Sequence, residues 1–84
     1  MRVKLLDIKK AYSNDEINKE AAYARLRKAV RHTLIDKYER EIEAARNFKK
    51  GFTSKKEAER DMKIIWPIAF TEERKVAIED LIHQ

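Results

Sequence analysis

The residues that could carry catalytic chemistry are hydroxyl side chains and two histidines, and their positions do not favour catalysis. A serine or threonine nucleophile needs a base within hydrogen-bond reach, and neither His32 nor His83 lies in a recognisable catalytic motif. The hydroxyl residues are Ser13, Thr33, Thr53, Ser54 and Thr71, and most of them occupy predicted helix caps. Because function has to be argued from a site, we expect no enzyme activity and no catalytic residue.

Metal and cofactor sites have equally little support in the sequence. His32 and Asp36 are spaced as metal ligands on one helix can be, but no further ligand follows at a recognisable spacing, and His32 is interpreted as a solvated residue. The chain has no cysteine and a single glycine, Gly51, which excludes thiolate sites and a glycine-rich phosphate loop. We expect no metal and no cofactor.

One group of basic residues lies on the predicted second helix and is a candidate contact for nucleic acid or an acidic partner. Arg25, Lys28 and His32 are predicted to lie opposite the apolar face of this helix, with Arg27 and Arg31 on its flank. Such a row of cations can track phosphates. The alternative interpretation is an ordinary solvated helix face.

A second basic group surrounds the predicted start of the third helix. Lys49, Lys50, Lys55 and Lys56 flank Phe52, and helix N-termini attract anions. Phe52 could stack on a base in a nucleic-acid complex, although a buried anchor for the loop is the favoured interpretation of this side chain.

The most apolar stretch of the chain surrounds Pro67 and is the candidate protein-docking segment. Trp66, Ile68 and Phe70 lie here, and Phe52 is a fourth candidate, because large aromatic side chains dominate interface energetics. A core role for this stretch is favoured, since a short chain uses the large side chains it has.

Apolar spacing and scarce helix breakers predict an all-α fold. Only one Gly and one Pro occur, too few for the many turns of a β-rich protein. Apolar residues recur every three or four positions from Tyr23 to Phe48, which predicts one dominant long helix over roughly residues 18–50. Such a rod is about 45–50 Å long, and its weakest point is the β-branched segment at His32–Ile35.

Shorter helices complete a predicted single domain, 1–84, that is a small bundle of about four helices. The first covers Val3–Tyr12; a capping box at Ser54–Glu57 opens the third, which Pro67 stops, and Thr71 caps the fourth. The predicted inward-facing residues are Leu26, Val30, Leu34, Met62, Ile65, Ala77, Ile78 and Leu81.

The segment from Tyr12 to Glu20 resembles the helix–turn–helix hairpin of short SHOCT-type modules. Those modules have a turn followed by an Ile-Thr start to the next helix, whereas Asn18 occupies the Thr position here and the turn glycine is missing. The resemblance covers about a quarter of the chain. It implies a capped hairpin and no particular function.

Charge and hydropathy limit the partners that the chain can have. The net charge is +5, and residues 1–34 hold nine Lys and Arg against four Asp and Glu, so the N-terminal part is the basic part. We expect neither a signal peptide nor a membrane span, because the longest apolar run is seven residues, Ile64–Phe70. The absence of cysteine favours a cytoplasmic location.

These features together predict a small non-enzymatic binding or regulatory protein, of adaptor or inhibitor type, that acts through protein–protein contacts. The composition is typical of accessory proteins of phages and mobile elements. The alternative function is a nucleic-acid-binding accessory factor that uses the basic N-terminal part, and a self-assembling structural piece is a third. A long rod in a short chain leaves apolar surface uncovered, so we also expect a homodimer.

Overall fold

Five α-helices joined by short connections form the fold in a computed structural model that describes residues 2–84, with side chains from Lys4 onward. The helices are α1 (Arg2–Ser13), α2 (Lys19–Ala29), α3 (Ile35–Lys49), α4 (Lys55–Ile65) and α5 (Thr71–His83), with single 3-10 turns at His32–Leu34 and Ile68–Phe70. Residues 2–84 contain no strand, so the all-α prediction is confirmed. None of these helices has the length and apolarity needed to cross a membrane.

The predicted long helix is in fact two helices. Val30 adopts an extended conformation (φ −129°, ψ 167°) and so does Arg31 (φ −67°, ψ 136°), which separates α2 from α3. The interruption overlaps the weak point expected at His32–Ile35. It also raises the helix count to five.

The interruption removes the reason for expecting a homodimer. The largest extent of the molecule is 29 Å, far short of a 45–50 Å rod, and α2 and α3 pack against each other. The radius of gyration, 11.5 Å, matches the value of about 12 Å expected for a compact domain of this length. Dimerisation therefore no longer follows from an uncovered rod.

Local sequence signals set most of the helix boundaries. The side chain of Asn18 accepts a hydrogen bond from the Ala21 N–H (2.8 Å) and begins α2. Ser54 and Glu57 form the predicted capping box of α4, with distances of 3.1 and 2.8 Å. Gly51 follows the end of α3 and lies in the left-handed region (φ +83°). Glycine suits this position because a residue without Cβ tolerates that conformation.

The connection from α4 to α5 differs in one detail from the prediction. Pro67 does end α4, which stops at Ile65. Thr71, however, is the first residue of α5 rather than its cap, and its hydroxyl donates to the Ile68 carbonyl at 2.7 Å. The Thr71 hydroxyl therefore stabilises the preceding 3-10 turn and does not cap the N-terminus of α5.

The core consists of two clusters that share α3. The first lies between α1, α2 and α3, and the second between α3, α4 and α5; Tyr38 packs against both. The first contains Leu5, Ile8, Tyr12, Ala22, Leu26 and Ile42, and the second Ala44, Ala45, Ala58, Met62, Ile65, Trp66, Ala77 and Leu81. Because α3 contributes to both, it is the central helix of the fold.

Three of the eight residues predicted to face inward are only partly buried, although all eight belong to the core clusters or pack against them. Val30, Leu34 and Ile78 are only half-buried, since the first two lie in the α2–α3 connection rather than on a continuous helix. The other five predicted core residues are buried.

Leu26 is therefore the better test of core packing. Leu26→Ala should lower the free energy of unfolding by about 2–5 kcal/mol, because this side chain is fully buried and its loss leaves a cavity. Leu34→Ala should cost clearly less. Urea denaturation of both variants measures the difference, and equal losses would contradict the packing described here.

Candidate binding surfaces

Three charged side chains from three helices meet in the interior. Lys9 of α1 contacts the carboxylates of Glu41 on α3 and Asp80 on α5, the latter at 2.8 Å. Lys9 is 0% exposed and Glu41 1%. The Trp66 Nε1–H donates to the second oxygen of Glu41 at 2.7 Å, so this buried network joins both core clusters.

The buried network has the composition of a catalytic cluster but the contacts of a structural one. Burial raises the pKa of Glu41, while Lys9 and the Trp66 N–H act against that shift. A pocket of about 190 Å³ reaches Glu41, and its lining includes Leu5, Val30, Glu72 and Glu73. Both Glu41 oxygens are nevertheless engaged by Lys9 and Trp66, which favours a role in holding helices together.

Breaking the buried network should be costly. Lys9→Met leaves two carboxylates in the interior without their cation and should lower the free energy of unfolding by about 3–5 kcal/mol. The triple variant Lys9→Met/Glu41→Gln/Asp80→Asn removes all three charges and keeps an acceptor for Trp66, so it should regain much of that loss. Urea denaturation compares the two, and a loss below about 1 kcal/mol for Lys9→Met would contradict a structural role for the network.

A second polar cluster gathers two tyrosines on one carboxylate. The hydroxyls of Tyr12 and Tyr23 each donate to the same oxygen of Glu43 at 2.8 Å. The Arg46 guanidinium lies over the Tyr12 ring, 4.6 Å from its centre, and Lys19 over the Tyr23 ring at 5.5 Å. Burial and these hydrogen bonds raise the pKa of Tyr12 to about 12 and raise that of Tyr23 as well.

Burial raises the pKa of Tyr38 as well. All three tyrosines should therefore lose their protons at a higher pH in the folded protein than in the unfolded chain. Unfolded tyrosines lose their protons near pH 10, whereas the folded ones keep them, so the unfolded state is favoured and stability falls as the pH rises above 10. The near-ultraviolet absorbance of tyrosinate should therefore stay low at pH 10 and rise with unfolding. Tyr12→Phe/Tyr23→Phe should flatten the decline of stability between pH 10 and 12; an unchanged decline would contradict the assignment.

An acidic groove runs between α3 and α4. It has a volume of about 610 Å³ and is named here the α3–α4 groove. Its polar residues are Asp36, Glu39, Arg40, Glu43, Asn47 and Asp61, and its other lining residues are Tyr23, Ala44, Ile64 and Ile65. Four carboxylates and one guanidinium therefore surround a partly apolar surface.

A basic cleft lies between α1 and α2. Its volume is about 270 Å³, and it is named here the α1–α2 cleft. The lining residues are Lys4, Asp7, Ile8, Arg25, Lys28 and Ala29. Three cations and one carboxylate thus face a small apolar floor.

The structure divides the first basic group that the sequence predicted. Arg25 and Lys28 are exposed on α2 and meet Lys4 in the α1–α2 cleft. Arg31 and His32 are also exposed but lie beyond the end of α2 at Ala29, so the predicted row does not extend to them. Lys4 was missed because its position depends on the packing of α1 against α2.

The second basic group is also divided. Lys50 pairs with Asp15, and the Lys49 ammonium donates to the Gln84 carbonyl at 3.1 Å. Lys55 and Lys56 are exposed at the start of α4. These lysines therefore do not form one cluster with free charges.

The predicted buried-anchor role of Phe52 was wrong, because this side chain is 75% exposed. It follows Gly51 in the turn beyond the end of α3. Phe52 therefore remains a candidate docking residue.

The predicted docking stretch around Pro67 separates into core and surface. Trp66 is fully buried, and the rings of Tyr38 and Phe70 contact it edge-on at 4.8 and 5.5 Å. Trp66 is therefore a core residue, which agrees with the favoured interpretation of this stretch and excludes it as a docking residue. Phe70 is half-buried against it. Ile68 is 78% exposed and remains a candidate.

Two further exposed apolar residues were not among the predicted docking candidates. Ile64 and Ile82 are 70% and 65% exposed. Ile64 directly precedes the buried Ile65, and Ile82 directly follows the buried Leu81. Helical spacing alone therefore did not show which residue of each pair faces solvent. Ile64 lines the α3–α4 groove.

From Arg2 to Gln84, no group of three or more potential ligands is arranged to hold a metal ion. Comparisons of the chain with protein-family models, with curated protein sequences and with solved structures found no match. Function is therefore argued from the two charged surfaces.

Proposed function

We propose that the chain is a small, non-enzymatic protein-binding module of adaptor or inhibitor type, which binds a basic segment of a partner protein in the α3–α4 groove. The carrying observation is the acidic, partly apolar lining of this groove. This groove holds four carboxylates against one guanidinium in a chain whose net charge is +5.

Three of the four carboxylates of the groove are available to a partner. Asp36, Glu39 and Asp61 make no ion pair within the described part of the chain. Glu43 is already bound by the two tyrosine hydroxyls. Complementary charge steers a partner and fixes its register, so lysine or arginine side chains suit the three unpaired carboxylates.

The apolar part of the groove supplies contact area for the same partner. Ile64 is 70% exposed, and Ala44 and Ile65 lie beside it in the lining. Lys and Arg side chains pack their aliphatic stems on apolar surface while their charged ends stay in water. A basic segment thus satisfies both halves of the lining, whereas the carboxylates repel the phosphates of a nucleic acid.

Capture of a partner tests this function. The immobilised chain is exposed to a nuclease-treated lysate of its source organism, beside a groove variant, Asp36→Asn/Glu39→Gln/Asp61→Asn. We expect the wild-type chain to retain a protein that the groove variant loses. Peptides spanning basic segments of that protein should then bind the wild-type chain more than tenfold more tightly than the variant.

A control variant separates the groove from net charge. Glu16→Gln/Glu20→Gln/Glu72→Gln removes three exposed carboxylates outside the groove and should retain the partner. Equal loss from both variants would contradict the groove as the binding surface, and retention of no protein by the wild-type chain would contradict the protein-binding function.

A further inference from the structure

We propose that the α1–α2 cleft is a separate site that binds the phosphodiester backbone of a nucleic acid. This inference does not depend on the α3–α4 groove, because the two surfaces differ in their helices and in the sign of their charge. Its cationic residues are Lys4, Arg25 and Lys28.

Two helices bring the three cations together. Arg25 and Lys28 lie three residues apart and therefore share one flank of α2. Lys4 lies one turn before Ile8 on α1, and the packing of α1 against α2 places both residues in the same cleft. Ile8 and Ala29 form the apolar lining beneath the charges.

The charges of the cleft have no internal partner. Lys4, Arg25 and Lys28 make no ion pair or hydrogen bond between side chains in the described part of the chain. Lys9, Arg46 and Lys50, in contrast, all pair with carboxylates. Asp7 also lines the cleft, so its three cations and one carboxylate give a net charge of +2. This excess of unpaired cations favours an anionic ligand.

A nucleic-acid backbone suits this arrangement better than a small anion or an acidic peptide. All three side chains are exposed, and exposed cations gain little from a single ionic contact in water. A polymer with closely spaced phosphates adds the release of condensed counterions at each contact. An acidic peptide carries fewer charges per length and holds no comparable layer of counterions.

Salt dependence gives the expected result a number. Three neutralised phosphates predict a log–log slope of about −2.7 on duplex DNA and about −2.1 on a single strand. On duplex DNA the dissociation constant should therefore rise about 40-fold between 50 and 200 mM salt.

Fluorescence anisotropy of labelled single-stranded and duplex DNA of about 16 nucleotides measures these slopes with the full chain. Lys4→Gln/Arg25→Gln/Lys28→Gln should weaken binding at least tenfold at 50 mM salt and bring the slope close to zero. Circular dichroism of this variant should match that of the wild-type chain, because all three residues are exposed.

The matched control is Lys55→Gln/Lys56→Gln/Arg60→Gln, which removes two exposed lysines and one exposed arginine from α4. It should leave affinity within about twofold of wild type at 50 mM salt. An equal loss from both variants would overturn the assignment to the cleft. Absence of binding by the wild-type chain would overturn it too, as would displacement of the DNA by polyglutamate at equal charge concentration.

Discussion

A lysine without exposure to water binds two carboxylates at the centre of this protein, and the arrangement of the helices depends on it. Lys9, Glu41 and Asp80 come from α1, α3 and α5. Removing ions from water is costly unless each finds good partners. The three ions therefore pair only when α1, α3 and α5 are packed in one register. Apolar contacts between alanines and leucines, in contrast, tolerate small shifts of one helix against another.

The network also explains why an 84-residue chain can hold two core clusters around one helix. A chain of this length buries a limited apolar core. Trp66 belongs to the second cluster and donates to Glu41, and Glu41 pairs with Lys9, which follows Ile8 of the first cluster. These polar contacts therefore join the two clusters across α3. The outer surfaces are then free to differ in charge, with an excess of carboxylates in the α3–α4 groove and an excess of cations in the α1–α2 cleft.

Much of the fold was predictable because its boundaries depend on local chemistry. Asn18, Ser54, Gly51 and Pro67 act through their own backbone or side-chain geometry, which needs no tertiary information. The break between α2 and α3 contains no Gly or Pro, so tertiary packing overrides a weak local preference there. The sequence analysis did not single out Lys9, Glu41 and Asp80, although each lies three or four positions from a buried apolar residue. Similarly, Arg25 and Lys28 were predictable as neighbours, but the approach of Lys4 required the packing of two helices.

The contact between Lys9 and Asp80 spans 71 positions of the chain, and this separation has a consequence for folding. Closing a loop of this length has an entropic cost that precedes the favourable energy of the contacts it allows. The ions lose their water only when the first and last helices are both docked. Without α1, Glu41 loses its cation, and without α5, Lys9 keeps only one of its two carboxylates. We therefore expect the protein to unfold as one cooperative unit even though its apolar core is divided in two.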